Sequence, residues 1–198
     1  MGDSAFTRVR GTCSAHRSAW ALLILIGLPL AVESAEVLSS SVIQYQGRYV
    51  MHSETVVGAP ISEVRALLTD YENLPRANRN IRRVEVLRRA TDGGVRMGVT
   101  SDFCILRLCL KFNWVQDIHT LPDGDIVMAI VPNRGDFQQG SGCWRLLADP
   151  RGTRLIFDVD LTPNFWIPPV FGSWLMKRKL AEEAFETAQG LERMATSN

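Results

Sequence analysis

The sequence has few histidines, few cysteines and almost no net charge, and these shortages exclude several classes of function. Its 198 residues include three histidines and four cysteines, and the formal net charge is +1 at pH 7. Proteins that bind nucleic acid derive much of their affinity from neutralised phosphates and carry a basic surface. A chain this close to neutrality is therefore not expected to bind nucleic acid.

Metal and cofactor motifs are also missing. No two cysteines have the Cys-x-x-Cys spacing, and no cysteine and histidine pattern fits a zinc site. A nucleophile elbow and a glycine-rich phosphate loop are equally absent from the sequence. We therefore predict neither a metal nor a cofactor.

The apolar run near the N-terminus is shorter than a typical membrane-spanning helix. It covers 14 residues, Ala19–Val32, and follows three arginines, whereas a membrane-spanning helix needs about 20 apolar residues. Together with the small residues after it, this pattern predicts a signal peptide over residues 1–35, cleaved after Ser34 or Ala35. An uncleaved N-terminal anchor is the alternative, and either way the rest of the chain is expected to be exported, most simply to the periplasm.

Residues 36–198 are enough chain for one domain, which would bury about two-thirds of its unfolded surface. Alternation of polar and apolar residues predicts strands over 43–57, 81–89, 94–102, 106–120, 125–131, 140–148 and 153–161. A short helix follows Pro60, residues 71–80 form a polar connection, and a long helix is predicted over 170–195. About seven antiparallel strands and one long C-terminal helix indicate an α+β fold with the sheet curled around that helix.

Four motifs carry a resemblance to a known superfamily. They are DYENLP at Asp70–Pro75, GCWRL at Gly142–Leu146, GTRL at Gly152–Leu155 and PNFWIPP at Pro163–Pro169. The chain resembles the START-like polyketide cyclase/dehydrase and lipid-transport superfamily (SRPBCC), and within it the coenzyme-Q-binding START-domain branch. The resemblance implies a helix-grip fold whose cavity, between the sheet and the last helix, holds a lipid, sterol, quinone or polyketide.

The inward faces of the strands and of the last helix are the predicted ligand site. Period-two alternation places apolar side chains on one face of three strands, and helical spacing gives the last helix an apolar stripe. Such a lining suits a hydrophobic small molecule, although any domain core needs similar rows. The predicted ligand-binding residues are Leu108, Leu110, Phe112, Trp114, Met128, Ile130, Phe157, Val159, Phe171, Trp174, Arg178 and Phe185.

Arg178 interrupts the apolar stripe of the helix. It could meet a polar head group of the ligand, pair with a nearby acid, or reach water. Phe165 and Trp166, before the helix, are predicted to form a lid or an edge that touches a membrane surface while ligand is loaded, or else to plug the end of the core. Phe137, in a polar loop, is a second predicted gate residue. Gln116 is a further polar position in an apolar row.

Cys104 and Cys109 could form a disulfide in an oxidising compartment if the chain turns between them, and free thiols are the alternative. For catalysis, the mature chain offers His52, which could pair with Glu54, and His119, which is expected to face away from the sheet's inner side.

These observations predict an exported protein that binds or transfers a hydrophobic small molecule. A cyclase- or dehydratase-type enzyme for a polyketide-like substrate and an interaction module with a filled core are the alternatives. Ionisable groups inside the cavity would favour the enzyme.

Overall fold

The computed structural model describes residues 35–105, 108–167 and 172–197. The predicted signal peptide, apart from Ala35, lies outside these residues. A 3-10 turn at Tyr71–Asn73 separates the first two helices. The elements are β1 (Glu36–Tyr45), β2 (Arg48–Val57), α1 (Ile61–Thr69), α2 (Leu74–Ala77), β3 (Ile81–Arg89), β4 (Val95–Ile105), β5 (Leu108–Thr120), β6 (Ile126–Ile130), β7 (Phe137–Asp149), β8 (Gly152–Pro163) and α3 (Gly172–Ala195).

The strands form one antiparallel sheet in the order β1-β2-β8-β7-β6-β5-β4-β3. From β3 to β8 each strand pairs with its neighbour in the chain, and β1 pairs with β2 in the same way. The join between these two groups is the pairing of β2 with β8, in which Met51 faces Val159. The predicted α+β, helix-grip class is confirmed, with eight described strands where about seven were expected.

The additional strand arises from a turn inside the segment predicted as one strand, 43–57. Gln46 and Gly47 have φ angles of 49° and 80°, and a two-residue type I′ hairpin requires positive φ at both central positions. Because the residues on both sides of the turn alternate in the same way, the pattern concealed it. The chain folds back there, and Tyr45 pairs with Arg48.

The segment 71–80, predicted as a polar connection, contains α2 and packs against α3. A Cβ atom on Gly190 of α3 would lie 1.5 Å from the carbonyl oxygen of Ala77. No side chain fits at that distance, so glycine is required where the two helices meet. Gly190 therefore sets the approach of α3 to α2.

Helix α3 lies across one face of the sheet, where it contacts β1, β2, α1 and α2. Its buried apolar side chains include Met176, Ala184, Ala188 and Leu191, whose spacing places them on one side of the helix. Leu191 belongs to the main core cluster, whereas Ala184 packs with Met51 and Val159 in a smaller one. Among the described helices, none is long and apolar enough to cross a membrane.

Candidate functional site

A cavity of about 240 Å³ lies between the sheet and α3. Its polar lining residues are Ser101, Gln116, Ser141, Lys179, Glu183 and Thr187. The remaining lining residues are apolar: Met51, Leu68, Leu74, Ile81, Met97, Phe103, Phe112, Trp114, Ile118, Ile126, Met128, Ile130, Phe137, Trp144, Phe157, Val159, Leu161, Phe165, Met176 and Leu180. This composition, an apolar wall with a few polar groups, is typical of sites for small hydrophobic molecules.

The three predicted strand rows meet at this cavity. The strand residues of the predicted site that line it are Phe112 and Trp114 from β5, Met128 and Ile130 from β6, and Phe157 and Val159 from β8. Leu110 follows the same alternation but lies beyond the cavity, where it is 46% exposed. Phe171 and the side chain of Leu108 lie outside the described residues.

The prediction of which side of the last helix faces the cavity is wrong for the first half of α3. Trp174 is 61% exposed, and the guanidinium carbon of Arg178 lies 5.7 Å from the centre of the Trp174 ring. Arg178 also donates a hydrogen bond from Nε to Glu182 Oε1 at 2.8 Å. Neither residue lines the cavity, and nor does the partly buried Phe185. Arg178 thus has the acidic partner that was one of its predicted alternatives.

The physical reason is the rotation of the helix. The prediction followed the largest apolar side chains, whereas small residues and the contact at Gly190 determine which side of α3 meets the sheet. Successive residues are about 100° apart around a helix, so a shift of one or two positions exchanges one side for another. The side that faces the cavity carries Met176, Lys179, Leu180, Glu183 and Thr187.

An aromatic cluster occupies one end of the cavity. The ring centres of Phe112 and Phe165 are 4.8 Å apart, those of Trp114 and Phe137 are 5.6 Å apart, and Phe103 meets Phe112 edge-on at 5.6 Å. Phe137 and Phe165, two of the predicted gate residues, therefore contact the rings that line the site. Trp166, the third, is 78% exposed.

Two glycines on β7 provide space for cavity side chains, and the sequence analysis did not identify them. A Cβ atom on Gly142 would lie 2.9 Å from Met128 Cγ, and one on Gly140 would lie 2.6 Å from Leu161 Cδ2. The side chains of the neighbouring strands therefore cross β7 where β7 has none of its own. Alternate glycines within a strand are the signal that could have shown this, because glycine in a strand often marks close approach.

Glu183 is a carboxyl group at the cavity wall, and it too was missed. Asn78 Nδ2 donates to Glu183 Oε2 at 2.8 Å, and Asn80 Nδ2 donates to Glu183 Oε1 at 2.6 Å. Burial raises the pKa of Glu183 above its ordinary value, while the two amide donors and the charge of Lys179 oppose that change. The carboxyl group is consequently easier to protonate than a glutamate in water.

Lys179 and Gln116 complete the main polar groups. Lys179 lies one helical turn before Glu183, with its Nζ 2.7 Å from Glu182 Oε2 and 5.5 Å from the centre of the Phe103 ring. Gln116 is buried, and its Oε1 accepts a hydrogen bond from Trp114 Nε1 at 2.9 Å. This bond fixes the indole ring against the cavity.

The two described histidines are not part of the cavity lining. His52 lies beside Asp158 and Glu54, with its ring nitrogens 2.7 Å and 3.2 Å from their carboxylate oxygens. Burial lowers the pKa of His52, but hydrogen bonds to the two carboxylates outweigh this effect and raise it overall. His52 and Glu54 are paired as the sequence analysis considered, but on the face of β2 opposite to Met51, away from the site.

Cys104 and Cys109 are placed to form the predicted bridge, because β4 and β5 run antiparallel. The two residues face each other in the β4–β5 hairpin, and their sulfur atoms are bonded at 2.06 Å. The adjacent Phe103 belongs to the aromatic cluster and contacts Lys179. The disulfide therefore lies directly beside the aromatic end of the cavity.

Comparison with known proteins gives one family and a set of similar folds. The sequence model of the family described as polyketide cyclase / dehydrase and lipid transport matches residues 57–184. A search of curated proteins found no match. The family-level resemblance is thus confirmed.

Three solved structures illustrate the similarity. The Zhui aromatase/cyclase from Streptomyces sp. R1128 has a TM-score of 0.64 at 14% identity, covering 75% of this chain and 94% of its own. A START superfamily protein from Mycobacterium smegmatis has a TM-score of 0.59 at 18% identity, covering 76% and 97%. A STAR-related lipid transfer protein from Xanthomonas axonopodis has a TM-score of 0.57 at 19% identity, covering 79% and 98%. At these identities the likeness concerns the fold alone.

Proposed function

Because the chain belongs to the polyketide cyclase/dehydrase and lipid transport family, we propose that it is an exported protein that binds and transfers a hydrophobic small molecule. The ligand, a lipid, quinone or sterol, occupies the cavity between the sheet and α3. The observation that carries the proposal is the cavity itself, about 240 Å³ with a wall that is mainly apolar. A protein with a filled core would have side chains in that space.

Two features support export. The three arginines and the short apolar run at the N-terminus have the form of a signal peptide. The bond between Cys104 and Cys109 is of a kind that persists in oxidising compartments such as the periplasm.

Exposed apolar side chains near the aromatic end support a transient contact with a membrane surface. Trp166 is 78% exposed, and Leu110, which pairs with Phe103 of the aromatic cluster, is 46% exposed. Phe165, next to Trp166, packs on Phe112 of the cavity, so this surface adjoins the site. Tryptophan favours the interface between lipid and water.

The alternative is a cyclase- or dehydratase-type enzyme, and one observation favours it. Glu183 brings a carboxyl group with a raised pKa to the cavity wall, and a group of this kind can act as a general acid or base. The similar fold of the Zhui aromatase/cyclase agrees with this alternative. Binding is the better-supported function because just two of the described lining residues, Lys179 and Glu183, are ionisable.

Mass spectrometry of organic extracts tests the proposal. The mature protein is purified from its exported compartment, with a mock purification as the blank. An Ile130→Trp variant fills the cavity, and Leu147→Trp makes a similar change at an exposed β7 position. We expect a stoichiometric lipid, quinone or sterol with the wild type and Leu147→Trp, and a marked loss with Ile130→Trp. An empty wild-type extract, also after incubation with candidate hydrophobes, would contradict the proposal.

A further inference from the structure

We infer that Lys179 and Glu183 select a ligand whose polar end is a neutral oxygen group, a carbonyl or a hydroxyl; this inference rests on the proposed function. The two residues are four positions apart on α3, so their side chains are neighbours on one side of the helix. Both line the cavity, and no other described lining residue is ionisable. Thr187, a third polar lining residue, lies on the same helix, so an amphiphile in this cavity would direct its polar end to this side of α3.

Glu183 can accept a further hydrogen bond. A carboxylate offers about four acceptor positions on its two oxygens, and the structure uses one on each: Oε2 accepts from Asn78 at 2.8 Å and Oε1 accepts from Asn80 at 2.6 Å. These two amides also fix the orientation of the carboxyl group. A ligand hydroxyl could donate to either oxygen.

Lys179 can donate to a ligand oxygen. Its ammonium group carries three N–H donors, and its salt bridge to Glu182 Oε2, at 2.7 Å, requires one of them. The side chain is 15% exposed, so its stem is packed and its position is restricted. A carbonyl or hydroxyl oxygen in the cavity could accept from this ammonium group.

The surrounding charges disfavour an ionised head group. The Glu182 carboxylate pairs with both Lys179 and Arg178. An anionic head that approached Lys179 would also lie beside the Glu183 carboxyl, which would repel it. A cationic head would meet the ammonium group of Lys179. Burial of a charge without a partner is costly, so a neutral oxygen fits this arrangement best.

Four naphthalene probes of similar shape test the inference by direct titration into the mature protein at pH 7. They are naphthalene, 2-naphthol, 2-acetylnaphthalene and 2-naphthoate, which carry no head, a hydroxyl, a carbonyl and an anion. We expect the two neutral oxygen probes to bind about tenfold more tightly than naphthalene, the equivalent of one net hydrogen bond. The anion should bind more weakly than either.

Variants identify the residues responsible. Lys179→Met keeps a chain of similar length and should reduce the tenfold preference, taken as the ratio to naphthalene affinity in the same variant, to about threefold or less. Glu183→Gln should improve the binding of 2-naphthoate. The matched control is Glu186→Gln on the same helix, since Glu186 is paired with Arg79 and does not line the cavity; it should retain the wild-type order.

Several outcomes would overturn the inference. Equal affinity for all four probes, preference for 2-naphthoate, or an unchanged preference in Lys179→Met would each remove the assigned selectivity and leave the binding function intact. Failure of every probe to bind, with extracts also empty, would remove the proposed function and this inference together. Lys179→Met decides the matter if Glu183→Gln does not fold.

Discussion

Removal of the disulfide between Cys104 and Cys109 should lower the stability of the protein by an amount that follows from its loop length. The two cysteines are five positions apart. In the chain-entropy treatment of cross-links, closing so short a loop restricts the unfolded chain by about 2 kcal/mol at 25 °C. For a protein of this size, each kcal/mol corresponds to a Tm change of about 2–4 °C, so the expected decrease is about 4–8 °C.

The double variant Cys104→Ser/Cys109→Ser is preferable to a reducing agent because it leaves Cys143 as it is. Differential scanning calorimetry of the mature, oxidised protein and of the variant measures the difference, after mass spectrometry has verified the bond in the wild type. The variant should also bind ligand more weakly, because the hairpin carries Phe103 to the aromatic cluster. A Tm within 1 °C of the wild type, with the bond verified, would refute the reasoning.

Three further predictions concern packing, the site and pH. Gly190→Ala should cost about 3 kcal/mol or more, because its methyl group would overlap the backbone of α2; thermal unfolding should show a Tm lower by at least about 6 °C, with Gln189→Ala close to the wild type. Phe112→Ala should weaken hydrophobe binding more than Trp174→Ala, which is exposed, and equal effects in a titration would contradict the cavity assignment. Since folding raises the pKa of His52 above 6.5, its contribution to stability is present below pH 6.5 and is lost as pH rises through the folded-state pKa. When the free energy of unfolding is measured by urea denaturation at several pH values, His52→Gln should show a smaller decline with pH. An equal pH dependence in the variant and the wild type would exclude this role of His52.

The sheet was predictable because alternation is a local property. In β5 and β8 large apolar residues recur at every second position, and the face that carries them meets the cavity. Strand β6 is apolar at all five positions (Ile126–Ile130), so alternation alone does not assign its inward face. The β1–β2 turn was not predictable by this argument. Gln46 and Gly47 give a weaker signal than Asn-Gly, and the alternation on either side hides the reversal of the chain.

The site was predicted on the sheet side and missed on the helix side, for a physical reason. A strand has two faces, so alternation assigns each side chain to one of them. A helix of mixed composition has several ways to bury a stripe, and small residues decide among them through close contacts that the sequence does not display. The approach of Gly190 to Ala77 is one such contact.

This difference matters more for function than for fold. Rotating α3 so that Trp174 and Arg178 faced inward would give the cavity an aromatic ring and a permanent cation. The observed rotation instead gives it Lys179, paired with Glu182, and Glu183, held by two amides. The first cavity would suit an anionic head group and the second a neutral one. Because the contact of Gly190 with Ala77 sets the rotation of α3, the proposed ligand selectivity depends on a packing contact that lies outside the cavity lining.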